Sequence, residues 1–245
     1  DQLTLPREPL ADSTAGGEFR PALKTKIQFC SETQYTLPSV KMQAEISFTK
    51  RFTRKNGCSI MKMSFLRKGG LAVRGRPSSC AFTGPRPAKL PWGYREEDPR
   101  CLALKRRIRD AVESAYEEGY CHFLCGMAQG CDLYFCEIVL ALRVKHPEVT
   151  LEAVVPCPTQ ADDWPEPERQ RYRALLSACD YETLVSAHYT PDCMQRRNRY
   201  LVDHAALLIA AYDGTLGGTQ YTVQYAMRRG VEIVDLPILL PEEAR

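Results

Sequence analysis

Short apolar runs alternate with longer amphipathic stretches from residue 79 onward, and this alternation predicts the secondary structure. The apolar runs contain four to six residues, as at 80–83 and 206–211. Uninterrupted runs of this length are typical of strands that are buried on both faces of a sheet. The longer stretches repeat apolar residues every three or four positions, which is typical of helices that pack on one side.

The pattern predicts six strands and five helices in alternation. The strands are predicted at residues 80–83, 122–125, 150–155, 181–186, 206–211 and 232–236. The helices are predicted at residues 98–118, 130–146, 165–179, 191–204 and 219–229. Strands that alternate with helices form parallel sheets with short crossover connections. The predicted fold class is therefore α/β: a Rossmann-like, doubly wound, mainly parallel sheet with helices on both faces.

The first third of the chain differs from the rest. Residues 1–78 lack a sustained apolar period and mix Thr, Ser, Lys, Arg, Gly and Pro. We expect residues 1–78 to be a basic arm, disordered or produced by a translation extension, and residues 79–240 to form the Rossmann-like domain. The chain begins at Asp1, and Met61 and Met63 precede the first predicted strand, so either methionine is a candidate natural start. A flexible arm or a small, weakly patterned module is the alternative.

Charge divides the chain at nearly the same place. Residues 1–79 carry a net charge of +8, and residues 80–245 carry −5. Because binding to nucleic acid needs an excess of Lys and Arg, we do not expect nucleic acid as the partner of the domain. No apolar run reaches the roughly 18 residues of a membrane span. The start carries no signal segment, so we expect no membrane partner and a cytoplasmic location. The oligomeric state stays open, with a homo-oligomer among the options.

Cysteine usage favours packing over metal binding. Eleven cysteines, an odd number, fit a reducing compartment better than a disulfide framework. Cys121, Cys125, Cys131 and Cys136 form a cluster, but spacings of four, six and five residues differ from the paired spacing of zinc ligands. We therefore expect no bound metal and no required cofactor.

Three glycine-bearing loops directly follow predicted strands and precede predicted helices. Glycine lets the backbone approach a ligand closely, and the first amides of the following helix are free to bind an anion. The carboxyl ends of parallel strands lie at one edge of a sheet, so we expect these loops to meet there. The loops predict a pocket for a phosphate-bearing ligand, with the candidate residues Thr83, Gly84, Arg86, Gly126, Gly130, Asp132, Asp213, Gly217, Gly218 and Thr219.

Two further segments could contribute to this pocket. Three arginines and an asparagine lie close together on the fourth predicted helix, and Arg196, Arg197 and Asn198 are candidates to face the ligand. A solvated basic face is the alternative. Thr219 is expected to cap the last helix. The loop 156–164 is consistent with contacts to a base or ribose and equally with a stiff connection.

Several motifs resemble one known family. The motifs are FTGPRPAKLPWGY, CGMAQGCDLYFCE, PCPTQADDW, RRNRYLVDHAALLIAAYDG and GGTQYT, in this order over about residues 79–237. They resemble the YpsA-like proteins of the SLOG (SMF/DprA and LOG) superfamily. The resemblance implies a Rossmann-like domain that binds nucleotides or nucleotide-derived ligands.

The chain departs from its superfamily relatives at two positions. Relatives in the LOG branch cleave the N-glycosidic bond of nucleoside monophosphates with a glutamate that follows a glycine-rich turn. The corresponding position here is Thr222 or Gln224, and neither side chain can act as the acid, base or oxocarbenium-stabilising carboxylate. Pro85 stands where the YpsA-like motif usually has histidine.

These observations leave three functional hypotheses. The leading one is a sensor that binds a nucleotide or nucleotide-derived ligand, such as ADP-ribose, NAD or a nucleoside phosphate. The alternative is a LOG-like phosphoribohydrolase, whose carboxylate would come from Asp132, Glu137, Asp203 or Asp213. A third hypothesis is single-stranded DNA binding as in the DprA branch, which the negative charge of the domain disfavours. Whether the protein is an enzyme stays open.

Overall fold

Nine strands form one sheet within the described part of the chain, which comprises residues 26–29, 46–55, 58–67 and 78–239 of this computed structural model. The strands are β1 (Lys26–Phe29), β2 (Ile46–Lys55), β3 (Cys58–Arg67), β4 (Ser79–Thr83), β5 (His122–Cys125), β6 (Thr150–Val155), β7 (Tyr181–Leu184), β8 (Leu207–Ala211) and β9 (Glu232–Leu236). The helices are α1 (Pro99–Glu117), α2 (Cys131–Lys145), α3 (Glu166–Ala178), α4 (Cys193–Asp203) and α5 (Gly218–Arg229), and a 3₁₀ turn covers Pro87–Lys89. The order across the sheet is β1-β7-β6-β5-β4-β8-β9-β3-β2.

The six strands β4 to β9 are parallel to one another and alternate with the five helices. The chain steps outward from β4 to β7 and then returns to place β8 on the other side of β4. Ala81 of β4 therefore lies between Leu124 of β5 and Leu208 of β8. The prediction of a Rossmann-like, doubly wound, mainly parallel sheet is confirmed. The strand order reverses between β4 and β8, where sheets of this type bind ligands.

Alternate residues of the buried strands enter two separate cores, one on each face of the sheet. Phe82 of β4 packs with residues of α1, α2 and α3, and its ring stacks on Phe135 with centroids 4.7 Å apart. The neighbouring residue Ala81 packs on the other face with Leu201 of α4 and Val223 of α5. Strand side chains point alternately to the two faces, so uninterrupted apolar strands bury both helix layers.

The helix boundaries agree with the sequence pattern within one or two residues, with one correction at α5. Asp98 caps α1 by accepting the backbone N–H of Arg100 at 2.9 Å, and Pro99 occupies the first helical position. The prediction that Thr219 caps α5 is wrong, because Gly217 is the cap and Thr219 already lies in the first turn. None of the helices in the described ranges is long and apolar enough to cross a membrane.

Most of the predicted arm, at residues 1–25, 30–45, 56–57 and 68–77, lies outside the described residues. The remaining segments of the arm form strands that the sequence pattern did not indicate. β1 pairs in parallel with β7 at one edge of the sheet. β2 and β3 form an antiparallel pair, and β3 continues antiparallel onto β9. The assignment of the arm to a translation extension stays a prediction.

A partly buried polar cluster lies where β5, β6 and β7 meet α4. Glu152 accepts hydrogen bonds from Thr183 Oγ1 at 2.7 Å and from the hydroxyl of Tyr200 at 3.0 Å. Its second carboxylate oxygen lies 3.0 Å from Nε2 of His122. Burial raises the pKa of Glu152, but the hydrogen bonds from these partners outweigh burial, and the resulting pKa lies below its usual value.

Glu152→Gln is expected to lower the free energy of unfolding by about 1–2 kcal/mol at neutral pH, because a charged acceptor is lost. The pKa of Glu152 is lower in the folded than in the unfolded state, so its contribution is complete above about pH 5 and is lost as the pH falls through the lowered pKa. Urea unfolding at neutral pH and at about pH 3.5 measures this difference, which should shrink at the lower pH.

Glu97→Gln, at an exposed position, is the matched control and should have little effect at either pH. A difference at Glu152 that does not depend on pH would show that ionisation of this carboxyl does not stabilise the fold.

Candidate ligand-binding cleft

A cleft of about 330 Å³ opens at the carboxyl ends of β4 and β8, where the strand order reverses. Its walls are the loop after β4 with the 3₁₀ turn, the loop after β8 with the start of α5, and one side of α4. The volume lies at the lower end of the range typical of small-molecule sites, about 300–1,000 Å³. The cleft therefore suits one small ligand or one part of a larger one.

The structure brings most of the predicted site residues together around this cleft. Arg196 and the two glycines of the loop after β5, Gly126 and Gly130, do not line it. Arg196 lies on another side of α4 and donates to the carbonyl of Val185 at 3.4 Å. The residues that do line the cleft are Thr83, Gly84, Arg86, Asp132, Arg197, Asn198, Asp213, Gly217, Gly218 and Thr219.

Gly126 lies against the buried guanidinium of Arg197. A Cβ atom at residue 126 would overlap Nη1 of Arg197, and it would lie 2.6 Å from Cζ of Arg197 and 2.8 Å from Oδ2 of Asp132. Arg197 Nη1 also donates to the carbonyl of Gly126. Glycine is therefore required at 126 by the approach of a protein side chain, and not by the approach of a ligand.

Gly130 packs against the loop that follows β4. Its φ of +84° is one that residues with a side chain rarely adopt, and a Cβ atom there would lie 2.9 Å from Cδ of Pro87. The backbone N–H of Cys131 donates to the carbonyl of Pro85 at 3.4 Å. The carboxylate of Asp132 accepts the N–H of Ala128 at 3.2 Å. Protein acceptors thus occupy one amide of the loop after β5 and the first amide of α2, which were expected to face an anion.

Arg197 and Asp132 form a buried ion pair on the wall of the cleft. Arg197 Nη1 lies 3.4 Å from Oδ2 of Asp132, and the two residues are 6% and 5% exposed. Burial raises the pKa of Asp132, and the guanidinium of Arg197 opposes that rise. Nε of Arg197 is buried and has no hydrogen-bond partner among the described residues. This side chain therefore retains an unused donor beside the cleft.

The start of α5 provides backbone donors on the opposite side of the cleft. Gly218, Thr219 and Gln220 occupy the first turn, where backbone N–H groups have no acceptor within their own helix. The first turn contains no acidic residue. Asp213 accepts the backbone N–H of Thr215 at 3.0 Å and its hydroxyl at 2.8 Å, so this carboxylate shapes the loop that leads into α5. The first turn of α5 is the part of the cleft best suited to an anion.

Lys89 and Met194 are among the cleft residues that sequence reasoning missed. Lys89 lines the cleft from the 3₁₀ turn and donates from Nζ to the carbonyl of Leu216 at 2.9 Å. Met194 lies on the wall formed by α4, with its Sδ 3.8 Å from Nη2 of Arg86. Lys89 was the easier of the two to predict from the sequence, because it lies three residues after Arg86 in a loop already assigned to the pocket.

None of the four candidate carboxylates of the hydrolase hypothesis is both in the cleft and free of a protein partner. Thr222, one of the two positions aligned with the catalytic glutamate, is buried and donates its hydroxyl to the carbonyl of Gly218 at 2.8 Å. Glu137 pairs with Arg171 at 2.8 Å, and Asp203 lies 2.9 Å from Nε of Arg229; neither carboxylate lines the cleft. Asp132 and Asp213 do line it, the first paired with Arg197 and the second bonded to Thr215.

The loop after β6 is a structural connection in the described part of the chain. The side chain of Gln160 is buried and donates from Nε2 to the carbonyl of Met127 at 2.6 Å, and the loop does not line the cleft. The four cysteines singled out by their spacing differ in exposure: Cys121 is partly exposed, and Cys125, Cys131 and Cys136 are buried. Over the described residues, no group of three or more His, Cys, Asp or Glu side chains could hold a metal ion.

The fold and the cleft define a Rossmann-like α/β protein with a basic cleft at the reversal of strand order. Residues 80–237 match the model of the YspA SLOG family, and the chain belongs to this family. The chain is 26% identical over 152 residues to a UPF0398 protein of Bacillus velezensis, covering 61% of this chain and 83% of the relative. It is 28% identical over 145 residues to the uncharacterized SPbeta prophage-derived protein YoqJ of Bacillus subtilis, covering 54% of this chain and 85% of that protein.

Two solved structures are also similar. The first is DNA processing protein A of Helicobacter pylori, described for its single-stranded DNA binding mode, with a TM-score of 0.47, 13% identity and coverage of 81% of this chain and 84% of that chain. The second is DNA processing protein A of Streptococcus pneumoniae, with a TM-score of 0.44, 14% identity and coverage of 63% and 48%.

The expectation that nucleic acid is not a partner is contradicted by the described DNA binding of the Helicobacter pylori protein. That expectation rested on the net charge of −5 over residues 80–245. The net charge of a domain does not determine the charge of one surface. Here three basic residues, Arg86, Lys89 and Arg197, line a single cleft against two acidic ones, Asp132 and Asp213. The charge argument therefore excludes no anionic partner.

Proposed function

We propose that the protein binds a nucleotide or nucleotide-derived ligand in this cleft, such as ADP-ribose, NAD or a nucleoside phosphate, and acts as a sensor. The observation that carries the proposal is the meeting of Arg86, Lys89 and the first turn of α5 around one small cleft. A guanidinium donates two parallel hydrogen bonds to a phosphate, and a helix N-terminus adds backbone donors and a favourable dipole. Together they form an anion site at the place where Rossmann-like sheets bind nucleotides.

The other cleft residues support a ligand larger than a phosphate ion. Asn198 and Asp213 offer groups that pair with the hydroxyls and ring edges of a nucleoside. Membership of the SLOG family supports the same class of ligand, since the resemblance implies nucleotide-type ligands. Binding without hydrolysis is favoured, because the catalytic glutamate is replaced and Asp132 is held by Arg197.

Arg86→Ala is expected to weaken binding of nucleoside phosphates about 10- to 100-fold, the effect of removing one charge-assisted hydrogen-bonding group. Arg86 is exposed and its guanidinium lies 3.8 Å from Met194 Sδ, so its removal should leave the fold intact. Calorimetric titration of the full chain with AMP, ADP, ADP-ribose and NAD measures the loss. Arg106→Ala, an exposed arginine on α1, is the matched control and should bind like the wild type.

Gly218→Asp provides an independent test on the other wall of the cleft. A Cβ atom at 218 has adequate space, with Nδ2 of Asn198 nearest at 3.9 Å, so the variant should fold. Its carboxylate should repel an anionic ligand and abolish measurable binding. A well-folded wild-type protein that binds none of these ligands would refute the proposal. Release of a free base from AMP would replace the sensor with the phosphoribohydrolase.

A further inference from the structure

Lys89 connects the loop after β4 to the loop after β8 across the mouth of the cleft. It ends the 3₁₀ turn that follows β4, and its ammonium donates to the carbonyl of Leu216 in the loop after β8 at 2.9 Å. Within that loop, Asp213 bonds to Thr215. The bond from Lys89 is therefore a tether between this loop and the opposite side of the cleft. Leu216 itself is 80% exposed, so the tether is made at the cleft mouth.

The ammonium of Lys89 also lies directly beside the start of α5. A Cβ atom at Gly217, the cap of α5, would overlap Nζ of Lys89. A cation at the positive end of a helix dipole is unfavourable, and the first turn of α5 contains no acidic residue to offset it. An anion placed between Nζ and the amides of Gly218 and Thr219 would relieve this repulsion. The arrangement is thus suited to a shared phosphate.

We propose that Lys89 binds the phosphate of the ligand, and that it gives up the carbonyl of Leu216 to do so, which releases the loop 213–217. This inference rests on the proposed function and adds to it a specificity-determining residue and a consequence of binding. A carbonyl is a neutral acceptor, whereas a phosphate is charged, so the ammonium prefers the phosphate when both are within reach. Binding of the ligand in the cleft would thereby make the exposed loop 213–217 more mobile.

Binding of AMP and adenosine to Lys89→Met tests the phosphate contact. We expect AMP to bind about tenfold more weakly to this variant than to the wild type, as for the loss of one charge-assisted bond. Adenosine, followed by NMR titration at millimolar concentrations, should bind both proteins equally. Lys89→Arg should retain AMP affinity within about threefold, because it keeps a charged donor. Lys145→Met, an exposed lysine at the end of α2, is the matched control.

Hydrogen exchange of the backbone amides in 213–217 tests the release of the loop. Exchange should become faster when AMP binds the wild type, and it should already be fast in Lys89→Met without ligand. Equal losses of AMP and adenosine affinity in Lys89→Met would show that the residue only shapes the cleft, and would overturn the inference. Hydrogen exchange in 213–217 that does not change when AMP binds would overturn the proposed release of the loop.

The same measurements separate this inference from the proposed function. AMP that binds the wild type and Lys89→Met equally would overturn the role of Lys89 and leave nucleotide binding in place. A folded wild-type protein that binds neither AMP nor the other nucleotides tested would overturn both.

Discussion

Arg197→Met is expected to lower the free energy of unfolding by about 3–5 kcal/mol, the usual effect of removing one partner of a buried ion pair. Arg197 is 6% exposed and pairs with Asp132, which is 5% exposed. Without the guanidinium, the buried carboxylate loses its ion-pair partner in a low-dielectric site, and the Gly126 carbonyl also loses a donor. Globular proteins are stable by only about 5–15 kcal/mol, so the loss should be evident in urea unfolding followed by circular dichroism.

Three controls test whether the unpaired charge causes this loss. Burial raises the pKa of Asp132, and losing the guanidinium of Arg197, which opposes that rise, should raise the pKa further. The variant should therefore regain relative stability as the pH falls through this raised pKa towards the unfolded value of about 3.9. Arg197→Met combined with Asp132→Leu removes both charges and should recover about 1–4 kcal/mol relative to the single variant. Arg196→Met, on the neighbouring but partly exposed residue, should change stability by about 0.5 kcal/mol. A double variant no more stable than Arg197→Met would show another cause.

The central sheet could be predicted from the sequence because its signals are local. Apolar runs such as the one ending at Ala211 are buried on both faces, and the structure places β8 within one residue of the predicted bounds. The strands β1, β2 and β3 were not indicated. They lie in a segment of mixed composition, and they add to the two edges of the six-stranded parallel sheet. Their backbone pairing with β7 and β9 favours the strand conformation, which the apolar pattern of the segment alone does not indicate.

The cleft could be predicted in part, since its residues follow strands whose carboxyl ends share one edge. The sequence placed Arg196 and Arg197 side by side without indicating which one faces the cleft. The structure separates them, because adjacent residues of a helix point about 100° apart. Arg197 turns inward to Asp132, whereas Arg196 turns to the carbonyl of Val185. That choice depends on a partner 65 residues away, which no local pattern contains.

Hydrogen bonds from side chains to backbone carbonyls could not be predicted from the sequence. Lys89 binds the carbonyl of Leu216, Arg197 binds that of Gly126, and Gln160 binds that of Met127. Every residue carries a carbonyl, so the side chain of the acceptor gives no signal in the sequence. The role of Gly126 was missed for the same reason. Its loop resembles an anion-binding turn in composition, but the group that approaches its backbone is a guanidinium of the protein.

Gly126→Ala is expected to lower the free energy of unfolding by about 3 kcal/mol, through overpacking and displacement of a buried charge. The added Cβ would overlap Nη1 of Arg197 and lie 2.8 Å from Oδ2 of Asp132. The guanidinium is the end of a flexible side chain, but it is enclosed, so it cannot withdraw without weakening the ion pair. Thermal and urea unfolding measure the loss. Gly126→Ala in an Arg197→Met background should cost less than in the wild type, because the side chain that it would displace is absent.

Gly218→Ala is the matched control, because it adds the same methyl group to a glycine of the neighbouring wall. The nearest atom to a Cβ at 218 is Nδ2 of Asn198 at 3.9 Å, an ordinary contact. Alanine is also favoured over glycine in a helix by about 0.5–1 kcal/mol, so stability should be unchanged or slightly higher. Equal losses at Gly126 and Gly218 would contradict the steric argument. A loss confined to Gly126 would show that the first glycine is required by the packing of Arg197, and would leave Gly218 as the glycine of the two that faces the ligand cleft.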